Sequence, residues 1–411
     1  MITVNAGRIS KRLEDLAEFG IDALGGWSRP SYTGEYAKAY NLVKRWMEEA
    51  GMVVRNDAIG NLFARMEGEE DGLPVVAAGS HIDTVKNGGK FDGNAGVIGA
   101  LEVAQIMKEN NIRPKHPYEV IVFVEEEGSR FGTGLLGSRA MLGEVDEAFL
   151  DQKKDKDGIS IAQALEDWGL DPSKVQEAKV KTGYYKAYFE IHIEQGSVLD
   201  NLNIPIGIVE GIAAPVWMKV KLKGRSDHAG ATPMNIRRDA FLAAAEASLS
   251  AEIIAKEVGK ATVATVGKIN VFPGGANIVP GEVEMFFDVR DIDANLRDHA
   301  IERIKASIEE ICDRRNITFE SEEVLKVDPC ILPKWIIDTV EEGAKETGLG
   351  YHRMISGAGH DAQLMAKITD VGMLFMPSIE GRSHCPEENT KIEDVVACVQ
   401  ALLNTTMKVL S

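Results

Sequence analysis

The sequence predicts an α/β fold, a mostly parallel sheet covered by helices and interrupted by an inserted ferredoxin-like α+β domain. Two observations carry the sheet. Apolar runs at 74–79 and 119–124 are unbroken, and stretches of helical spacing lie between such runs. Strands apolar throughout belong to sheets covered on both faces. A third observation carries the insertion. Lys219, Lys221 and Lys223 alternate with Met218, Val220 and Leu222, the pattern of a strand with one wet face. The 411 residues suffice for two or three domains, at roughly 150 residues each.

Taken in order, residues 8–19 are expected to form a helix, with Ile9, Leu13, Leu16 and Ala17 on one face. The run 74–79 is the first buried strand. Val97, Ala100, Leu101, Ala104 and Met107 mark the next helix, and 119–124 the next strand. In 188–196, Phe189, Ile191 and Ile193 face one way and Glu190, His192 and Glu194 the other. The inserted domain is placed at 213–327. Its strand through 218–223 is followed by an Ala-rich helix over 239–256, then strands near 261–271 and 282–290, separated by Pro273-Gly274-Gly275. Val283, Met285, Phe287 and Val289 face one way. A helix then spaces Leu296, Ala300, Ile304, Ile308 and Ile311, and 317–324 closes the set. Strand-helix-strand-strand-helix-strand is the ferredoxin-like order. The remaining domain comprises 1–212 and 328–411. It continues with a helix over 334–347, a strand over 371–376 and a capping box, Thr390-Lys391-Ile392-Glu393. The last helix buries Val395, Val399, Leu402 and Leu403.

A net charge of −18, from 46 basic and 64 acidic residues, disfavours nucleic acid and anionic membranes as partners. No local block of Lys and Arg offsets it. No run of 18 apolar residues predicts a membrane span, and the first residues lack the pattern of a signal peptide. The four cysteines lie far apart with no CxxC spacing, so neither a disulfide framework nor a thiolate metal site is expected and a cytoplasmic location is the default.

Four of the eight histidines stand at strand ends beside acidic or glycine-rich segments. His81 follows the first buried strand, and Asp83 could hold its other ring nitrogen. Asp92 follows in Phe91-Asp92-Gly93, where Gly88, Gly89 and Gly93 allow tight backbone geometry. Alone, His-x-Asp fits a capped surface loop equally well. Glu125, Glu126 and Glu127 directly follow an apolar strand. Carboxylates clustered at the ligand edge of a sheet repel one another unless a cation or a shifted pKa compensates; a solvated turn is the plain alternative. His192, between Glu190 and Glu194, suits a ligand or a satisfied core histidine. His384 lies in a loop after a strand, beside Cys385, on which no general base has a claim. Three histidines with two or three carboxylates at strand ends match a two-metal hydrolytic site. Such ligands suit Zn, Mn, Co or Ni alike.

The motifs Gly79-Ser80-His81-Ile82-Asp83-Thr84-Val85, Gly88-Gly89-Lys90-Phe91-Asp92-Gly93, Glu126-Glu127-Gly128-Ser129-Arg130-Phe131, His192-Ile193-Glu194-Gln195-Gly196, Asp227-His228-Ala229-Gly230-Ala231-Thr232-Pro233-Met234 and Ser356-Gly357-Ala358-Gly359-His360-Asp361 span the chain. Together they resemble the amidase, hydantoinase and carbamoylase family of binuclear metal hydrolases, kin of aminoacylase-type metallopeptidases. The resemblance implies two divalent metal ions per subunit. His81 and His192 would bind one, Glu127 and His384 the other, and Asp92 both. It implies Glu126 as general base, with Glu125 and Asp83 supporting the ligands, although the three-glutamate run leaves the register open. His228 would stabilise an oxyanion in a partner subunit's active site, so the inserted domain would form a homodimer. Gln195, Asn277, Arg290 and Gly359 would contact the substrate, with Arg290 pairing its carboxylate bidentately. An ion pair with Asp288 or Asp291 is the alternative for Arg290, and a structural pair at a helix N-terminus is the alternative for His360 with Asp361. His116, His299 and His352 carry no motif and are expected at the surface.

The implied reaction is hydrolysis of the carbamoyl C–N bond of N-carbamoyl-L-amino acids, small ureido substrates bearing a carboxylate. Segments 207–213 and 273–277 look closer to the carbamoylases, whereas 356–363 and 80–85 look closer to allantoate amidohydrolases. Allantoate is therefore the alternative substrate. A dipeptidase or aminoacylase fits less well, because His192 stands where peptidase relatives usually have a carboxylate. A silent metal-binding scaffold fits less well too, because all five ligands and the base are present.

Overall fold

The computed structural model describes residues 2–411. The chain forms two compact units. One comprises the chain up to Glu210 with Leu332–Met354 and His360–Ser411; the other comprises Gly211–Ile331 and Ile355–Gly359. The expected insertion at 213–327 lies within the second unit, which also takes up the short segment containing Gly357 and Gly359. Among the described residues no helix is long and apolar enough to cross a membrane.

The sheet of the first unit is parallel at its centre. Strand Val75–His81 runs parallel to Tyr118–Phe123 and to Tyr185–Ile193, and Asp370–Met376 runs parallel to Tyr185–Ile193. The flanks are antiparallel: Val53–Asn56 with Leu62–Met66, Leu62–Met66 with Tyr118–Phe123, and Ile206–Ile212 with Asp370–Met376. The three central strands are buried almost throughout, which is why they read as unbroken apolar runs. The registers place His81 opposite Phe123, and Phe375 opposite His192. The C-terminal ends of all four parallel strands therefore open on the same edge, where ligands bind in such sheets.

Helix Asn94–Glu109 packs on this sheet and is apolar nearly all round. Its Glu102 is fully buried and accepts from Arg8 Nε and Nη2, both at 2.7 Å. This bidentate pair ties helix Ala6–Leu16 to it. Helix Ile392–Leu410 buries Val395, Val399, Leu402 and Leu403 as the spacing predicts. The capping box does not form. Lys391 is the N-cap, and Thr390 lies one residue outside the helix with its hydroxyl buried and unpartnered.

The second unit has a four-stranded antiparallel sheet in the order Thr318–Lys326, Ala214–Lys223, Glu282–Asp291, Val263–Phe272. Helices Ala240–Val258 and Ala294–Arg315 complete a βαββαβ order. Val216, Met218, Val220 and Leu222 meet Val283, Met285, Phe287 and Val289 in one core with the helices' Ala243, Ala247, Ile304 and Ile308. On the opposite face Lys219 pairs with Glu284 and Lys221 with Glu282.

Candidate metal centre

Each residue of the cluster sits where a parallel strand ends. His81 is the last residue of its strand, and His192 the last but one of its own. Glu126 and Glu127 follow Tyr118–Phe123, and His384 follows Asp370–Met376. Asp92 lies just before helix Asn94–Glu109, whose N-cap, Gly93, has φ +65°.

Asp92 is the hub. Its Oδ1 lies 3.0 Å from His192 Nε2 and 3.5 Å from His81 Nε2, and its Oδ2 lies 3.3 Å from His384 Nε2. His384 Nε2 is also 3.5 Å from Glu127 Oε2, and Glu126 Oε2 is 3.8 Å from His81 Nε2. The opposite ring nitrogens are held by backbone carbonyls. His81 Nδ1 donates to Asp83 O at 3.0 Å and His192 Nδ1 to Ile193 O at 2.9 Å. Both Nε2 lone pairs thus face the cluster, the arrangement metal-binding imidazoles adopt. Asp83 meets the other ring nitrogen of His81 with its backbone carbonyl. Its carboxylate is 3.7 Å from His81 and instead accepts from Glu126 N at 3.3 Å and Glu127 N at 3.1 Å. The carboxylate holds the backbone of the acidic turn, while the carbonyl of the same residue holds the imidazole.

Geometry separates the three glutamates. Ligand atoms of His81, Glu126 and Glu127 lie together, as do those of Asp92, Glu127 and His384. Glu125 turns away, its Oε1 accepting from Arg130 N at 3.0 Å and Phe131 N at 3.1 Å. Burial pushes Glu126 well above the usual carboxylate range despite the opposing charge of His81. Burial, then the charge of Asp92, raises Glu127 to about 8. The bond to Asp92 raises His384 to about 9. Glu127 Oε1 and Asp361 Oδ2 are buried and accept no hydrogen bond. Crowded carboxylates, an orphaned carboxylate oxygen and inward-facing imidazole lone pairs are a donor set that fits divalent cations.

Arg29 and Glu388 escape the sequence reading, and residues it named take supporting contacts it did not foresee. Gln195 Nε2 donates to Asp92 Oδ2 at 2.8 Å. Glu388 accepts from Phe91 N and Asp92 N at 3.0 and 3.1 Å, and from Ser383 Oγ at 2.9 Å. Arg29 is fully buried and donates to Ile82 O, Leu16 O, Phe19 O and Asn94 Oδ1, which fixes the segment between His81 and Asp83. Glu190 accepts from Ser80 Oγ at 2.7 Å and Ala362 N at 3.0 Å. His360 is buried with its ring centroid 4.6 Å from that of His192, while Asp361 accepts from Ser138 Oγ at 2.6 Å. Glu194 caps helix Val198–Leu202 through Val198 N and Leu199 N. His116, expected at the surface, is buried. Its Nδ1 donates to Pro74 O at 2.8 Å and its Nε2 accepts from Lys186 at 2.9 Å. His299 is exposed and His352 half-buried.

In the second unit His228 is exposed, and its Nδ1 accepts from Gly230 N and Ala231 N, both at 3.1 Å. The proton of the neutral ring is therefore on Nε2, which makes that nitrogen a donor. Asn277 O accepts from Ala229 N at 2.9 Å, beside this loop. Arg290 donates through Nε and Nη2 to Asp288 at 2.9 and 2.8 Å, and through Nη1 to Gly357 O at 2.7 Å. The ion pair with Asp288, left open as an alternative, is thus present. Gly359 is exposed.

A parallel sheet whose strand ends converge on buried imidazoles and carboxylates is the scaffold of a metal-dependent hydrolase. The model of "Peptidase family M20/M25/M40" matches residues 77–408. The chain belongs to this family. It is 41% identical to an N-carbamoyl-L-amino acid amidohydrolase of Geobacillus stearothermophilus, over 98% of both chains. It is 35% identical to an allantoate amidohydrolase of Escherichia coli, over 98% of this chain and 97% of the other. Among solved structures, a hydantoinase/carbamoylase family amidase from Burkholderia ambifaria superposes with a TM-score of 0.94 at 30% identity, covering 100% of this chain and 99% of the other. Family and relatives make the protein a metal-dependent amidohydrolase.

Proposed function

We propose that the protein hydrolyses the carbamoyl C–N bond of N-carbamoyl-L-amino acids. The observation that carries the substrate is the higher identity to the N-carbamoyl-L-amino acid amidohydrolase, 41%, than to the allantoate amidohydrolase, 35%. His81, His192 and Asp92 would hold one divalent ion; Glu127, His384 and Asp92 would hold a second. The two Asp92 oxygens turn toward different histidines, which supports a place for Asp92 in both sets. Ions bound there would supply Lewis acidity toward water and the carbonyl oxygen.

Glu126 takes a proton from the attacking water, whose oxygen bonds to the ureido carbon. The raised proton affinity of Glu126 suits a group that accepts the proton of the water. The bond from that carbon to the amino-acid nitrogen breaks as Glu126 protonates the nitrogen. The amino acid leaves, and the released carbamate decomposes to ammonia and carbon dioxide. His228, with its proton on Nε2, is suited to donate to the oxyanion, and Arg290 is assigned to the substrate carboxylate. Gln195, Asn277 and Gly359 complete the substrate contacts, and the second unit carries the homodimer contact.

The test is ammonia release from metal-reconstituted protein given N-carbamoyl-L-methionine, allantoate or ureidoglycolate. Turnover of the carbamoyl amino acid that disappears with a chelator is expected. Turnover of allantoate alone would replace this reading with a ureide-degrading one.

A further inference from the structure

The sequence holds no local block of basic residues, but the fold of the second unit assembles one. Arg237 and Arg238 lie just before helix Ala240–Val258, and Arg314 and Arg315 end helix Ala294–Arg315. The two pairs line one cleft of about 530 Å3, together with Asn235 and Asn316. Among the described residues a single carboxylate, Glu246, is in ion-pair contact with the four; it binds Arg314 and Arg315. Asp239, next to Arg238, is committed to capping its helix through Phe241 N and Leu242 N. Arg238 Nε donates to the Asn316 carbonyl. Arg315 Nε is buried and has no hydrogen-bond partner. The cleft therefore holds an excess of positive charge, in a chain whose net charge is −18.

Guanidinium groups match oxyanions in charge and in paired donors, and two pairs set about one cleft favour a dianion over a monoanion. Clefts of roughly 300–1,000 Å3 take small organic ligands, so the space exceeds what inorganic phosphate fills. Long polyanions are disfavoured by the acidic surface beyond the cleft. We propose that this cleft binds a small phosphomonoester, with its phosphate on Arg238, Arg314 and Arg315. The neighbouring Arg237 donates through Nε to Thr232 O and through Nη2 to Ala229 O. These carbonyls bracket Gly230 and Ala231, whose N–H groups hold His228. A ligand on the cleft consequently orders the loop that carries His228. The binding claim is independent of the substrate assigned above.

The test is calorimetric titration of the metal-loaded full chain with AMP, adenosine and inorganic phosphate. AMP is expected to bind once per chain with Kd below about 1 mM, phosphate more weakly, and adenosine not at all. Arg314→Ala, at a side chain 57% exposed and so compatible with folding, should weaken AMP about tenfold or more. Glu246→Gln, which removes the internal competitor, should tighten it. Hydrogen exchange at 229–232 should slow on AMP binding. The proposal is overturned by no AMP binding at about 10 mM, or by phosphate binding as tightly as AMP. It is equally overturned if AMP affinity is unchanged in both variants and lost with a chelator, which would assign the anion to the metal centre.

Discussion

Replacing Gly93 by alanine tests whether the centre depends on close backbone approach to His81. Gly93 has φ +65° and ψ −44°, a conformation that L side chains rarely adopt; holding alanine there costs about 1–3 kcal/mol. The new Cβ would also lie 2.5 Å from Cδ2, Cε1 and Nε2 of His81. That ring cannot swing aside freely, because it is 1% exposed and its Nδ1 is tied to Asp83 O at 3.0 Å. Overpacking of this kind adds about 1–3 kcal/mol. The sum, about 2–6 kcal/mol, should lower Tm by roughly 4–12 °C, at about 2 °C per kcal/mol for a unit of this size. Displacing the ring should also weaken metal binding about 10–100-fold. Gly132→Ala is the control, since Gly132 has φ +67° with nothing within 4 Å of an added Cβ; it should lose stability but keep its metal affinity. Thermal melts in chelator and metal titration by calorimetry measure the two effects. Equal metal affinity for both variants and the parent would refute the argument that Gly93 seats His81.

Glu126→Gln should lower turnover about 10²–10⁴-fold with metal content unchanged by elemental analysis; near-normal turnover would remove Glu126 as the base. Glu388→Gln puts an amide where Phe91 N and Asp92 N now meet a carboxylate, and should cost about 10–100-fold in metal affinity without altering the substrate preference. In the metal-free protein Glu127 is raised to about 8 and His384 to about 9, so a metal ion held by both, as proposed, would have to displace their protons. Affinity measured from pH 6 to about 9 should rise with pH, and a flat profile would contradict it. Both groups hold extra protons in the folded chain between their ordinary values and these raised ones. Metal-free stability should therefore fall as pH rises through that window, widening the Tm gap to the metal-loaded protein.

The strands and helices that carry the cluster were legible because burial on both faces writes itself as unbroken apolar runs. What was not legible depends on partners that the chain brings from afar. Glu388 reaches Asp92 N across 296 positions, and Ser80 reaches Glu190 across 110; no local spacing encodes either. Glu190 was visible on the face shared with His192, but nothing near it signalled Ser80 or Ala362. His116 is buried because Lys186 and Pro74 close on it from 70 and 42 positions away. Helix Gly34–Glu49 went unread although Thr33 caps it and Tyr36, Ala39, Tyr40, Val43, Trp46 and Met47 bury one face. Its signal was present, but no motif drew attention to it.

The register of the three glutamates was open for a physical reason that the backbone supplies. In a continuing strand, consecutive side chains point to opposite faces, so Glu126 and Glu127 could not both face the cluster. The strand ends at Phe123, and Glu125 takes φ +54°. This left-handed step breaks the alternation and lets two adjacent carboxylates share one site. Gln195, at φ +59°, and His384, at φ +56°, are positive as well, and both lie against Asp92. Each such residue costs about 1–3 kcal/mol unless its surroundings fix it. The fixing contacts are present: Glu125 Oε1 takes the N–H groups of Arg130 and Phe131, and Gln195 N donates to Ser378 Oγ at 2.9 Å. Backbone strain is thus concentrated where side chains must converge against the period of their own strands. A sequence motif records which residues converge there, but not the turn that lets them do so.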